Sequence, residues 1–191
     1  MAKRAKIYDG SAWQDIATAV PDLSSYQTVA NTGLQLVKKQ TIGTGVSSVN
    51  VTGAFSGTYQ NYRILVSGGV GSTTTNAQLR LGATTSAYYA AGLYVLYATT
   101  GYNGIAQSNV AQFGNAVQVT TNHAYGDFNL YGPNLAQVTG YATNAGEPHT
   151  AGAMVLINGF VNTNTQYTDF TLTPASGTLT GGTIYVYGYG T

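Results

Sequence analysis

Few side chains in this chain could do covalent or acid–base chemistry, and their spacing is the first thing to test. From residue 34 onward the ionisable set is Lys38, Lys39, Arg63, Arg80, His123, Asp127, Glu147, His149 and Asp169. An enzyme of this size needs several such groups converging in one cleft. In "HAYGD" His123 and Asp127 stand four apart, which on a strand gives them a common face. Their Cα atoms would then lie about 13 Å apart, too far for a hydrogen-bonded pair. "EPH" brings Glu147 and His149 together in what reads as a solvated loop. Asp127, Glu147 and Asp169 could supply the two carboxylates of a glycosidase, although no local pattern supports it. There is no G-x-S-x-G elbow, phosphate-binding loop, dinucleotide-binding glycine pattern or H-E-x-x-H. The expectation is therefore no enzyme, no catalytic residue, no cofactor and no metal. Asn50-Val51-Thr52 matches a glycosylation acceptor, which matters only in a secretory compartment.

Aromatic residues are the real excess, with 16 tyrosines against 5 phenylalanines. Tyr88, Tyr89, Tyr94, Tyr97 and Tyr102 gather in "YYAAGLYVLYATTGY". Tyrosine among Asn, Gln and Thr suits a sugar, because the ring stacks on an apolar sugar face while amides bond its hydroxyls. Tyrosine is equally suited to subunit interfaces and to a core with its hydroxyl at the rim. The cluster is thus a candidate receptor or glycan contact, with core, interface and half-exposed sheet as the structural readings. The chain closes on "GGTIYVYGYGT", where Tyr185, Tyr187 and Tyr189 alternate with Ile184, Val186 and Gly188. A strand sends alternate side chains to opposite faces. If Ile184 and Val186 enter a core, a row of tyrosines faces out, and on an almost uncharged surface it invites association. Tyr185, Tyr187 and Tyr189 are accordingly the candidate subunit interface.

The elements that must hold these residues are strands. Segments 34–40, 46–53, 59–68, 77–82, 93–98, 116–121, 125–132, 153–159, 169–174 and 182–190 alternate or run apolar, with Gly-, Pro- and Asn-rich turns between them. Glycine is frequent, at 25 residues, and strong helix formers are scarce, so no segment shows a helical period. The expected fold is all-β, a jelly-roll-like antiparallel sandwich over 34–191. Ahead of it "KIYDGSAWQDI" reads as a hairpin over 1–16, entered by Ile7 and Tyr8, turned at Asp9-Gly10 and returned through Ala12, Trp13 and Ile16. Trp13 either folds back on its own domain or docks on another protein. Residues 17–33 read as an extended arm, of which 17–30 can reach about 46–50 Å.

Composition narrows the partners. Charged residues make up 7% of the chain and the net charge is +1, against roughly 25% charged in an ordinary soluble domain. No Lys or Arg follows Arg80. Nothing here steers the protein to nucleic acid or to an anionic membrane. Cysteine is absent, which removes disulfides and thiolate metal sites. "MAKRAKIYDG" has basic residues with no apolar run behind them, so a secretory signal is not expected. The apolar run at 87–98 is too short to span a bilayer as a helix, and no membrane insertion is expected.

Three blocks in order, "AKIYDGSAWQDI", "FSGTYQNYRILVSG" and "DFTLTPASGTLTGGTIYVYGYG", resemble tail-fibre and minor tail proteins of tailed bacteriophages. The likeness covers most of the chain and is strongest at 6–16, 55–67 and 167–190. It implies a virion structural protein on the particle exterior, usually a homotrimer, with an N-terminal anchor and a distal β domain. Carried over, Ile7, Tyr8, Asp9, Gly10 and Trp13 belong to the particle anchor, and residues 1–30 meet other virion proteins. The chain departs from long fibres in lacking a shaft. The resemblance therefore implies a short tail fibre or tail-associated adhesin that binds a host surface; a glycan is the candidate receptor that the Tyr88–Tyr102 cluster itself suggests. A capsid decoration or head-fibre protein fits the same length. A stand-alone lectin-like domain is a further alternative.

Overall fold

The computed structural model describes residues 6–8, 10–15, 33–99, 101–146 and 152–190. By their contacts the residues group into two compact units, Met1–Thr32 and Gly33–Thr191. Among the described residues there is no helix.

In the first unit β1 (Lys6–Tyr8) pairs antiparallel with β2 (Trp13–Asp15), Tyr8 opposite Trp13. The expected hairpin is present, but its register leaves residues 9–12 between the strands rather than a two-residue Asp9-Gly10 turn. The Tyr8 and Trp13 rings meet at 5.4 Å. Tyr8, Gly10 and Trp13 are all exposed, Trp13 to 66%. The arm expected over 17–33 lies outside the described residues except for Gly33, and so does Asp9.

The second unit carries β3 (Leu34–Thr41), β4 (Val49–Val51), β5 (Asn61–Ser67), β6 (Val70–Gly71), β7 (Thr75–Leu81), β8 (Tyr88–Leu96) and β9 (Tyr102–Val110). It continues with β10 (Phe113–Val119), β11 (Ala124–Tyr131), β12 (Thr139–Gly146), β13 (Ala153–Val161), β14 (Phe170–Pro174), β15 (Leu179–Thr180) and β16 (Thr183–Tyr189). Twelve of these strands form one branched antiparallel sheet that divides into two layers. The larger layer has the order β3-β16-β5-β11-β12-β13-β8-β9. The smaller is β4-β14-β7-β10. The turn end of the β10–β11 hairpin joins them through the pairs Gln118–Tyr125 and Val119–Ala124. Strands β6 and β15 make a separate ribbon.

The all-β antiparallel sandwich expected from the sequence is what the chain forms. The layers are unequal, eight strands against four, so the jelly-roll label is finer than this topology supports. Alternation sets the layers, as expected for strands with one buried face. Tyr62, Ile64 and Val66 of β5, Phe128 and Leu130 of β11, and Ile184 and Val186 of β16 point to the core. Leu79 and Leu81 of β7 and Phe170 and Leu172 of β14 meet them from the other layer. A continuous run of rings crosses this core: Tyr88, Phe113, Tyr141, Phe128, Phe170, Phe55, Tyr62, with neighbouring centroids 4.2–6.4 Å apart. Such pairs contribute about 0.5–1.5 kcal/mol each beyond the area they bury.

Candidate functional site

The outer face of the eight-stranded layer collects most of the aromatic residues that the core does not use. One lateral row runs Tyr187, Arg63, Asn129, Ala142, Asn158, Ala91, Ala106 across seven strands. Flanking it lie the cross-strand pairs Leu93–Leu156, Val95–Met154 and Tyr89–Phe160. Leu93, Met154, Leu156 and Phe160 are all exposed. Soluble domains seldom leave a contiguous apolar surface of this kind uncovered without a use for it. Tyr89 and Phe160 stack at 5.2 Å. They frame a shallow depression of about 530 Å³ with Ala91, Ala106, Ser108 and Asn158.

The three closing tyrosines lie on this same face. Strand β16 is interior, between β3 and β5, so the row is flanked rather than at a sheet edge. The Tyr185 and Tyr187 rings stack at 6.4 Å, and Lys39 Nζ sits 5.7 Å from the Tyr185 ring centre. Tyr189 donates its hydroxyl to Asn129 Oδ1 at 2.7 Å. Tyr185 and Tyr187 are half-buried and Tyr189 is exposed. The expectation that all three face away from the core is met.

The 88–102 cluster is not one surface. Tyr88 is fully buried in the core, where its hydroxyl accepts the Leu81 N–H at 2.8 Å. It therefore cannot touch a receptor as the sequence suggested, because the register that sends Tyr89 outward sends Tyr88 inward. Tyr89 and Tyr102 share the outer face, Tyr102 beside Val95 and 76% exposed. Tyr97 follows β8 and is exposed. Tyr94 turns to the inner side and lines a cleft between the layers. Burial pushes the hydroxyl pKa of both Tyr88 and Tyr141 well above the usual tyrosine range.

Among the described residues the ionisable side chains do not converge. Asp127 is held by Arg63 through a bidentate pair, Nε to Oδ1 at 2.9 Å and Nη2 to Oδ2 at 2.5 Å, with both side chains over a third exposed. That hydrogen bond, opposed by partial burial, raises the Arg63 pKa further. Asp127 and Asp169 line different depressions, the first with Asn129, Asn144 and Asn158, the second with Gly82, Thr84 and Tyr167. His123 lies tilted against the Tyr125 ring at 4.8 Å. Glu147 and His149 lie outside the described residues. Among the described residues no cluster of three His, Asp or Glu could hold a metal ion.

The sequence reading missed the inter-layer cleft. It has a volume of about 250 Å³ and is lined by Tyr94, Leu96, Ile105, Ala153 and Val155 on one wall. Asn76, Asn115 and Gln118 form the other. Strict alternation along "AVQV" puts Gln118 on a polar outer face. It is instead 1% exposed. It pairs with Asn76 on the side of β10 away from Val117, and the residues of β8, β9 and β13 that line the cleft cover that side.

Compared with known proteins, the chain matches no family model, no curated protein and no solved structure.

Proposed function

We propose that the protein is a non-enzymatic structural component of a tailed-phage particle: a short tail fibre or tail-associated adhesin. Residues 1–30 attach it to other virion proteins, and the sandwich is the outward domain that meets the host surface. The observation that carries this reading is the outer face of the eight-stranded layer. It presents Tyr89, Leu93, Tyr102, Met154, Leu156, Phe160 and the β16 tyrosines, with Lys39 and the mutually paired Arg63 and Asp127 as the charges among them. Such a face suits association with copies of the same chain, as a homotrimer, and adhesion that salt hardly screens. Two of the three resemblance blocks also form one structural unit, which supports reading them together. Strand β5 pairs with β16, Phe55 stacks on Phe170 at 5.7 Å, and the Ala54 and Phe55 N–H groups donate to Thr168 O.

The test is gold-labelled antibody against the protein on intact particles, viewed by electron microscopy. Label at the tail is the expected result. Label spread over the head would instead make it a capsid decoration protein, and unlabelled particles would overturn the virion assignment.

A further inference from the structure

We propose that Asn103, on the edge of the larger layer, is a site of spontaneous deamidation to isoaspartate, and that the same dipeptide at Asn158 is protected by its place inside the sheet. The proposal goes beyond the particle role and does not rest on it. Asn-Gly occurs twice in the chain, at Asn103-Gly104 and Asn158-Gly159. Both asparagines are exposed, so access of water does not separate them. Their strands do. Asn103 lies in β9, which among the described strands pairs with β8 alone, Asn103 opposite Tyr94 and Gly104 opposite Leu93. A Cβ on Gly104 would meet nothing within 4 Å. Asn158 lies in β13, which is paired on both sides, with Ala142 of β12 and Ala91 of β8 opposite it. A Cβ on Gly159 would lie 2.5 Å from the Tyr89 carbonyl oxygen.

The reaction needs the Gly104 nitrogen to reach Asn103 Cγ. The nitrogen gives its proton to solvent base and forms the N–Cγ bond. The Cγ–Nδ2 bond breaks, and ammonia leaves with a proton from solvent. Water then adds to the cyclic imide and opens it. One water is consumed and one ammonia released, with no change of oxidation state. Extended backbone holds the nitrogen and Cγ apart, so the strand must first open locally. An edge strand parts from one neighbour and an interior strand from two, so opening is easier at β9 than at β13. The glycine assists, because it has no Cβ to obstruct the attack and the widest backbone freedom. Opening the imide at one carbonyl gives aspartate. Opening it at the other gives isoaspartate, whose main chain is one carbon longer. Either product puts a negative charge on a strand that otherwise has none. Isoaspartate also breaks the period of two next to the exposed Tyr102.

The experiment incubates the full folded chain at mildly alkaline pH and follows amide-to-acid conversion at each site by mass spectrometry of peptides. Trypsin has no site after Arg80, so chymotrypsin is used. Cleavage after Tyr102 and Phe113 isolates residues 103–113, and cleavage after Leu156 and Phe160 isolates 157–160. Asn103 should convert at least about tenfold faster than Asn158 in the folded chain, with isoaspartate separated from aspartate by chromatography as the main product. In urea the two sites should convert at similar rates, because the sheet no longer distinguishes them. Gly104→Ala should slow Asn103 severalfold while leaving the melting temperature unchanged. Folded Asn103 converting no faster than Asn158 would overturn the proposal. A difference that persists undiminished in urea would also overturn it, by assigning the effect to neighbouring residues rather than to the sheet. So would an undiminished rate in folded Gly104→Ala.

Discussion

Two buried tyrosines make different predictions because their hydroxyls have different surroundings. Tyr88 accepts the Leu81 N–H at 2.8 Å in the core. Tyr88→Phe leaves that donor unpaired and should cost about 1–3 kcal/mol. The Tyr141 hydroxyl is buried beside the Thr143 side chain and pairs with no backbone group, so Tyr141→Phe should cost clearly less than Tyr88→Phe. Urea unfolding of both variants checks the contrast, and equal destabilisation would refute it. The same burial holds both pKa values above the usual tyrosine range. Each group thus contributes stability that is complete below the unfolded-chain value of about 10 and is lost as pH rises toward the folded value. Stability should fall above that pH as the unfolded chain ionises and the native core resists. Tyrosinate absorbance should show the last tyrosines titrating only as the protein unfolds.

Strand pairing is as sensitive as the core wherever a glycine admits a neighbour. A Cβ on Gly92 would lie 2.1 Å from the Leu156 carbonyl oxygen, and one on Gly188 would lie 2.3 Å from the Tyr59 ring. At Gly92 the obstacle is backbone of the adjoining strand, which can yield only by parting β8 from β13. Gly92→Ala should therefore destabilise by about 1–3 kcal/mol, whereas Gly104→Ala, with nothing within 4 Å, should not. Thermal melts of the pair decide it. Alternation made β5, β11 and β16 legible in the sequence because each has one wholly buried face. Strand β9 carried no such signal: it is a sheet edge, and "YNGIAQSNV" is exposed or half-buried throughout. Strand β12 was missed because its inward residues Thr139 and Thr143 are polar, leaving Tyr141 as the only large apolar one. The cleft could not be read from residue pattern, because Gln118 and Asn76 sit on the polar side of their strands and are buried only by the packing of β8, β9 and β13 over it.

At the scale of the whole molecule the two faces of the larger layer divide the labour. The inner face is spent on the ring-filled core. The outer face is left with apolar pairs and tyrosines that stay exposed or half-buried, in a chain of only 7% charged residues. The edges are treated unequally: β3 carries Lys38 and Lys39, whose charge discourages open-ended strand addition, while β9 carries no charge at all. Strand addition is thus disfavoured at β3, which leaves the outer face as the associating surface on that side. Mass in solution tests this directly. The wild-type chain should run near three times 19.9 kDa. Tyr185→Ser/Tyr187→Ser should shift it toward the monomer. Both rings are only half-buried within one chain, so the melting temperature extrapolated to high dilution should barely move. A monodisperse wild-type monomer at micromolar concentration would remove the assembly role from this face. An unchanged oligomer in the double variant would move the interface off β16 and toward Leu93, Leu156 and Phe160, where the corresponding serine substitutions would locate it.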